Sequence, residues 1–173
     1  MGDRCHLQVR TLNALAHLFE ELGMLVESED EPHEVELVDE QANFGLGEEL
    51  ERLARSGVVF LADQGAGEQY GPALVASDGS GELVTVEASW DGDPLVRCDP
   101  DTGRPVPEEL ANVEKYVETA KQAEAIIAGR AEHPRRCPTC GGSGDLGLAA
   151  DRVTGSRTCG TCAGSGIALE PAS

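Results

Sequence analysis

Aromatic residues are scarce in this chain of 173 residues, of which Phe, Tyr and Trp make up only 3%. The core must therefore come mainly from Leu, Val, Ile and Ala, and a hydrophobic content of 40% can supply it. Long apolar runs are also missing, because the longest covers residues 58–62, whereas a membrane-spanning helix needs roughly 20 residues. The first residues lack the apolar stretch of a secretory signal. We therefore expect a cytoplasmic protein with no membrane anchor.

Positive charge is scarce as well, since 13 Lys and Arg stand against 32 Asp and Glu and give a net charge of −19. Residues 1–130 hold 28 of the acids and 9 of the bases, whereas residues 131–173 hold four of each. Such a negative body repels nucleic-acid phosphates and anionic membranes and attracts basic proteins. A plain contribution to solubility or salt adaptation is the alternative explanation of this charge.

The acidic residues are densest in segment 27–40, where they make up more than half of the sequence ESEDEPHEVELVDE. Two interpretations remain open for this segment. It is either a solvated hairpin edge or loop, or a docking surface for a basic partner.

Residues 1–130 alternate between strand-like and helix-like patterns without a regular β-α repeat. Alternating apolar residues predict strands, helical spacing predicts helices, and the turn sequences DGSG and DGD separate the later strands as in a β-meander. We therefore predict an α+β domain with a mostly antiparallel sheet and helices packed on one face. The predicted strands are 5–9, 34–38, 58–62, 72–77, 82–89 and 94–98, and the predicted helices are 11–23, 47–57 and 107–129.

Four cysteines near the C-terminus form the strongest motif of the sequence, with the spacing C-x2-C-x18-C-x2-C. Zinc takes four ligands in a tetrahedron, and two C-x-x-C turns supply them. The glycines that follow each pair permit the tight backbone turns that such knuckles need. The predicted ligands of one structural zinc ion are Cys137, Cys140, Cys159 and Cys162.

Other chemistries for these cysteines are less well supported by the sequence. Disulfides are disfavoured without a secretory signal, and a redox-active C-x-x-C stands alone at a strand–helix junction. A catalytic zinc keeps an open position, which four thiolates do not leave. Cys5 and Cys98 lie outside the motif in strand-like segments, and we expect both to be buried free thiols.

The repeated pattern Cys-x-x-Cys-x-Gly-x-Gly resembles the zinc-binding repeats of the DnaJ-type cysteine-rich domain. With two repeats instead of four, residues 136–168 are still more similar to anti-TRAP-like bacterial regulators. The resemblance implies one zinc ion, held by the four cysteines, and a role in protein–protein contact rather than catalysis. It names no partner, and residues 1–130 resemble no family.

The sequence as a whole predicts an acidic α+β domain over residues 1–131, followed by a small zinc-ribbon or knuckle module over 134–168 and a tail over 169–173. The predicted function is non-enzymatic, namely a zinc-binding protein-interaction or regulatory protein. Charge complementarity favours a basic protein as its partner. Two alternatives remain open: an acidic nucleic-acid mimic that inhibits a DNA- or RNA-binding complex, and an enzyme with a zinc-ribbon accessory. No catalytic motif or cofactor-binding motif was found.

Overall fold

Six strands and three helices make up the described part of the chain, which in this computed structural model covers residues 4–28, 33–43, 46–68 and 70–132. The fold is α+β with an antiparallel sheet, as predicted. The elements are β1 (Arg4–Leu12), a 3-10 turn (Asn13–Leu15), α1 (Ala16–Glu20), β2 (Leu25–Ser28), β3 (Glu34–Asn43), α2 (Gly47–Arg55), β4 (Val59–Gln64), β5 (Ala73–Asp78), β6 (Val84–Glu87) and α3 (Pro107–Ile127).

The sheet has the order β2-β3-β1-β4-β5-β6, and every neighbouring pair is antiparallel. β1 is the first strand in the chain but lies near the middle of the sheet, between β3 and β4. The edges are β2 and β6. Strands β4, β5 and β6 follow one another along the sheet. Of the meander predicted over residues 72–98, the pairing of the first two strands is confirmed, whereas the third strand does not form.

One face of the sheet carries the main apolar core. Thr11, Phe60 and Ser77 are paired across β1, β4 and β5 and therefore point to this face. Phe60 meets the edge of Phe19 from α1, with ring centroids 5.6 Å apart. The strands contribute Cys5, Leu7, Val9, Val35, Leu37 and Ala62 to the same buried cluster, and α2 contributes Leu50, Leu53 and Ala54.

The opposite face lies under α3. Arg10 is paired with Leu61, and Asp63 with Leu74, so these four side chains share the face that Phe60 does not use. They line a cleft together with Tyr116 of α3. Helices therefore cover both faces of the sheet, and the expectation of helices on one face was wrong.

Two predicted elements differ from the structure for identifiable reasons. The helix expected over 11–23 is shorter, because Thr11 and Leu12 continue β1 in pairing with β3 and the N–H of Asn13 donates to the carbonyl of His33 at 2.9 Å. The strand expected over 94–98 is reduced to two isolated bridges, each with a proline as one member. Proline has no N–H to donate to a ladder, so a regular strand does not form there.

Candidate functional site

The predicted zinc ligands Cys137, Cys140, Cys159 and Cys162 lie outside the described residues. Within the described ranges, no three His, Cys, Asp or Glu side chains come together as metal ligands do. The features described below belong to the acidic part of the chain, within residues 4–132.

The two remaining cysteines differ in environment. Cys5 is buried, as predicted, and its thiol lies 3.8 Å from the carbonyl oxygen of Ala42. Cys98 is exposed, so the prediction of a buried thiol at this position was wrong. In place of the expected strand, Cys98 takes part in an isolated bridge with Pro105.

A cleft of about 290 Å³ lies between α3 and strands β1 and β4. The strands supply the floor, because alternate residues of β1 and β4 point toward α3. The walls combine apolar and charged groups, which distinguishes this space from the closed core on the other face. Its lining includes Gln8, Arg10, Glu36, Leu61, Asp63, Leu74, Tyr116, Ala120 and Glu124.

Arg10 connects the sheet to α3 across this cleft. Its guanidinium lies 3.2 Å from a carboxylate oxygen of Glu34 and 3.5 Å from one of Glu124. Beside it, Gln8 donates a hydrogen bond to Glu36. Because the Arg10 side chain is 38% exposed, water screens these contacts and they orient side chains more than they stabilise the fold.

Tyr116 is the half-buried aromatic residue of the cleft. Burial raises the pKa of its phenol, the nearby charge of Asp63 raises it further, and Arg10 acts in the opposite direction. The phenol therefore stays protonated at neutral pH and remains able both to donate and to accept a hydrogen bond.

A second contact ties the segment after β6 to the start of α3. The N–H of Arg97 donates to a carboxylate oxygen of Glu109 at 2.7 Å, and the guanidinium of Arg97 pairs with the same carboxylate. The hydrogen bond from the Arg97 side chain is the main cause that lowers the pKa of Glu109. The pair holds Glu109 ionised and fixes the irregular segment 94–98 against the helix.

Trp90 stands at the tip of a tight turn between β6 and the segment that returns toward α3. The N–H of Gly92 donates to the Ser89 carbonyl at 3.1 Å, and the N–H of Ser89 donates to the Asp93 carbonyl at 2.8 Å. The Ser89 hydroxyl accepts the N–H groups of Asp91 and Asp93 at 3.2 and 3.1 Å. Gly92 adopts φ 81°, which closes the turn in the left-handed region.

The tryptophan in this turn is 84% exposed. Sequence reasoning predicted the turn from DGD but gave no role to the tryptophan before it. The available signal was a large aromatic residue beside turn-forming residues, in a chain with only one tryptophan and few other aromatics.

The acidic segment 27–40 contributes one edge of the sheet. β2 pairs only with β3 within the described chain, through Leu25 with Val38 and Val26 with Leu37. Residues 29–32 lie outside the described residues. The segment therefore contains the strands of an edge hairpin, which agrees with the first of its two interpretations, and its role as a docking surface stays a prediction.

Comparisons with family models, with curated proteins and with solved structures gave no match. Across the described ranges, no helix combines the length and the apolar character that a membrane crossing needs. Any function must therefore be argued from the residues themselves.

Proposed function

We propose that this chain is a non-enzymatic protein-interaction or regulatory protein. In this proposal the acidic domain contacts a protein partner by charge, and the C-terminal segment holds one structural zinc ion through Cys137, Cys140, Cys159 and Cys162.

The observation that carries the first half is the state of the basic groups in the acidic domain. Four of the nine bases in residues 1–130 are each paired with a carboxylate of the same domain, namely Arg10, Arg55, Arg97 and Lys115. These cations are thus neutralised locally, while the acids outnumber the bases about three to one over residues 1–130. The large excess of carboxylates is left to act on a partner, and basic surfaces are the partners that such a field attracts.

The zinc half of the proposal rests on ligand chemistry. Four thiolates in two C-x-x-C pairs form a closed tetrahedral set, and such sites stabilise small segments that cannot build a core of their own. The resemblance to two-repeat zinc proteins points to the same ligands.

Metal analysis of the purified full-length protein tests this half directly. We expect about one zinc per chain, and we expect Cys159→Ser to lose it. Cys98→Ser is the matched control, because Cys98 is an exposed thiol outside the repeats and its removal should leave the metal content unchanged. A wild-type protein purified without zinc that also fails to take up zinc would refute the proposed cofactor.

Affinity capture from a lysate at low and at high salt tests the charge-driven half. Basic proteins should be retained at low salt and released as salt rises, because counter-ions screen exposed charges. Replacing Glu27 and Glu40 of the edge hairpin by lysine should weaken capture more than the same change at Glu48 and Glu49 of α2, if the hairpin is the docking surface. If neither salt nor charge reversal changes the binding, the acidic residues serve solubility and do not bind the partner. Capture of a nucleic-acid-binding complex whose nucleic-acid binding the protein blocks would support the mimic alternative instead.

A further inference from the structure

We propose that Trp90 is the anchor through which the acidic domain holds a basic partner, and that it takes an arginine side chain of that partner. The indole ring stacks on the guanidinium, and the carboxylates of Asp91 and Asp93 in the same turn supply the opposite charge. This inference rests on the proposed function and names the chemistry of the partner.

The turn presents the indole in a fixed position. Four hydrogen bonds within residues 89–93 hold the backbone, and the Ser89 hydroxyl makes two of them. The bridge between Ala88 and Pro94 closes the base of the turn. A partner therefore does not have to order this loop when it binds, and a preorganised contact residue costs less conformational entropy.

Trp90 presents a large apolar surface to solvent. An indole offers about 150–250 Å² of largely apolar surface, and here 84% of the residue remains in contact with solvent. By contrast, Phe19 and Phe60 are fully buried, and Tyr116 is half-buried. Tryptophan is also the residue type most often found at the energetic centre of protein interfaces.

The charge around the turn selects the occupant. Glu87, Asp91 and Asp93 are all exposed on this hairpin. The nearest base in sequence, Arg97, is already paired with Glu109. Two further bases, Lys121 and Arg130, line a pocket with Gly92 and Pro94, and the three carboxylates outnumber them. A second copy of this chain would bring the same negative charge to the contact, and an anionic membrane surface would be repelled in the same way. A cation is favoured, and among cations the planar guanidinium stacks on an aromatic face and bonds carboxylates in a way that an ammonium does not.

The single tryptophan gives a direct measurement, because the intrinsic fluorescence of the full-length protein reports on Trp90 alone. We would titrate the protein at low ionic strength with a short arginine-rich peptide and with a lysine-rich peptide of equal length and charge. Both peptides should bind. The arginine peptide should bind about two- to five-fold more tightly and should change the tryptophan emission more strongly.

Trp90→Ala should abolish the preference for arginine while leaving the weaker, charge-driven binding of both peptides, measured by calorimetry. Its backbone bonds do not involve the indole, so circular dichroism should remain that of the wild type. Trp90→Phe should keep part of the preference. Leu110→Ala is the matched control, because Leu110 is another exposed apolar residue, 41% exposed on α3 and outside the turn, and it should change nothing.

The outcomes separate the two levels of the proposal. If both peptides bind but wild type and Trp90→Ala show the same affinities, the anchor is refuted and the charge-driven function stands. If neither peptide binds at low ionic strength, the proposed function fails and the anchor fails with it. If Trp90 instead mediates self-association, or if lipid vesicles change its emission as the arginine peptide should, a different occupant covers the ring and the inference is overturned.

Discussion

The two faces of the sheet are built from the same strands but differ in kind. The face toward α1 is closed and apolar, with Leu7, Val9 and Phe60 fully buried. The face toward α3 has Arg10 and Asp63 on the same two strands and keeps an open cleft beside them. Strand alternation permits this division, because neighbouring residues such as Phe60 and Leu61 point in opposite directions.

This difference concerns where the charged groups lie. Apolar burial supplies most of the stabilising free energy, through Leu7, Val9 and Phe60 on the α1 face and through Val84 and Val86 under α3. The α3 face holds its charged groups in partly exposed pairs, which contribute little to stability but determine the electrostatic character of the cleft. Substitutions at matched positions on the two faces should reveal the contrast.

The largest expected effect comes from Phe60→Ala. The side chain is fully buried and contacts Phe19 edge to face, so its loss should lower the free energy of unfolding by about 3–5 kcal/mol. Its neighbour Leu61 is only half-buried on the other face, and Leu61→Ala should cost about 1 kcal/mol. Urea denaturation of the two variants measures both values. Equal losses would mean that these two positions contribute equally to the free energy of unfolding.

A smaller effect is expected from the buried hydroxyls of the apolar face. Thr11 donates to the Val59 carbonyl at 2.6 Å, and Ser77 donates to the Val58 carbonyl at 2.8 Å. Thr11→Val and Ser77→Ala remove one such bond each and should each cost about 1 kcal/mol. The double variant should show nearly additive losses, because each hydroxyl bonds a different carbonyl. If the two variants have the same free energy of unfolding as the wild type, these hydrogen bonds do not contribute to stability.

On the α3 face, Arg10→Met removes a charge while it keeps much of the side-chain length. The pairs with Glu34 and Glu124 are partly exposed, so the loss should be about 0.5 kcal/mol. It should shrink further as salt is added. Arg55→Met, which breaks an exposed pair within α2, is the control and should cost no more. A loss of several kcal/mol at Arg10 would place this face among the main sources of stability.

The smallest expected effect concerns how the stability of the fold falls at acidic pH. The folded-state pKa of Glu109 is lowered by Arg97, so the pair stabilises the fold above the unfolded pKa of a glutamate. That contribution is lost as the pH falls through the folded-state pKa. Glu109→Gln should therefore be slightly less stable than the wild type near neutral pH, and the two should converge at strongly acidic pH. Thermal unfolding of both proteins from neutral to strongly acidic pH tests this prediction. A difference in melting temperature that stays constant across this pH range would contradict it.

Periodicity predicted most of the elements whose apolar residues are buried on one side. Residues 5–9 alternate because β1 has one face in the core, and 107–129 carry the helical spacing that α3 uses against the sheet. The helices predicted over 11–23 and 107–129 have Gly23 and Gly129 as their last residues, and both glycines adopt positive φ. Local pattern was sufficient where one face of an element is buried and the other is not.

The remaining features depend on contacts that a single sequence does not display. β2 was missed because it lies at the sheet edge with Leu25 exposed, so it carries no alternation. The cleft forms only when α3 comes to rest on β1 and β4, which are far away in sequence. Trp90 gave no functional signal because exposure is a property of the folded chain. The zinc ligands could be predicted because each pair of cysteines is close together in the sequence, with a spacing typical of zinc sites. They stay a prediction.

Within the described residues β2 is an edge of the sheet, and this edge also affects how the protein behaves in concentrated solution. A sheet edge is a template for pairing with another chain, and proteins protect such edges by keeping them short and charged. β2 has four residues, including Glu27, and its neighbour β3 adds further carboxylates. That protection depends on ionised acids and weakens toward the sequence pI of about 4.4. Mildly acidic buffers should therefore reduce the colloidal stability of the protein before they unfold it, and neutral or alkaline buffers suit its purification and storage.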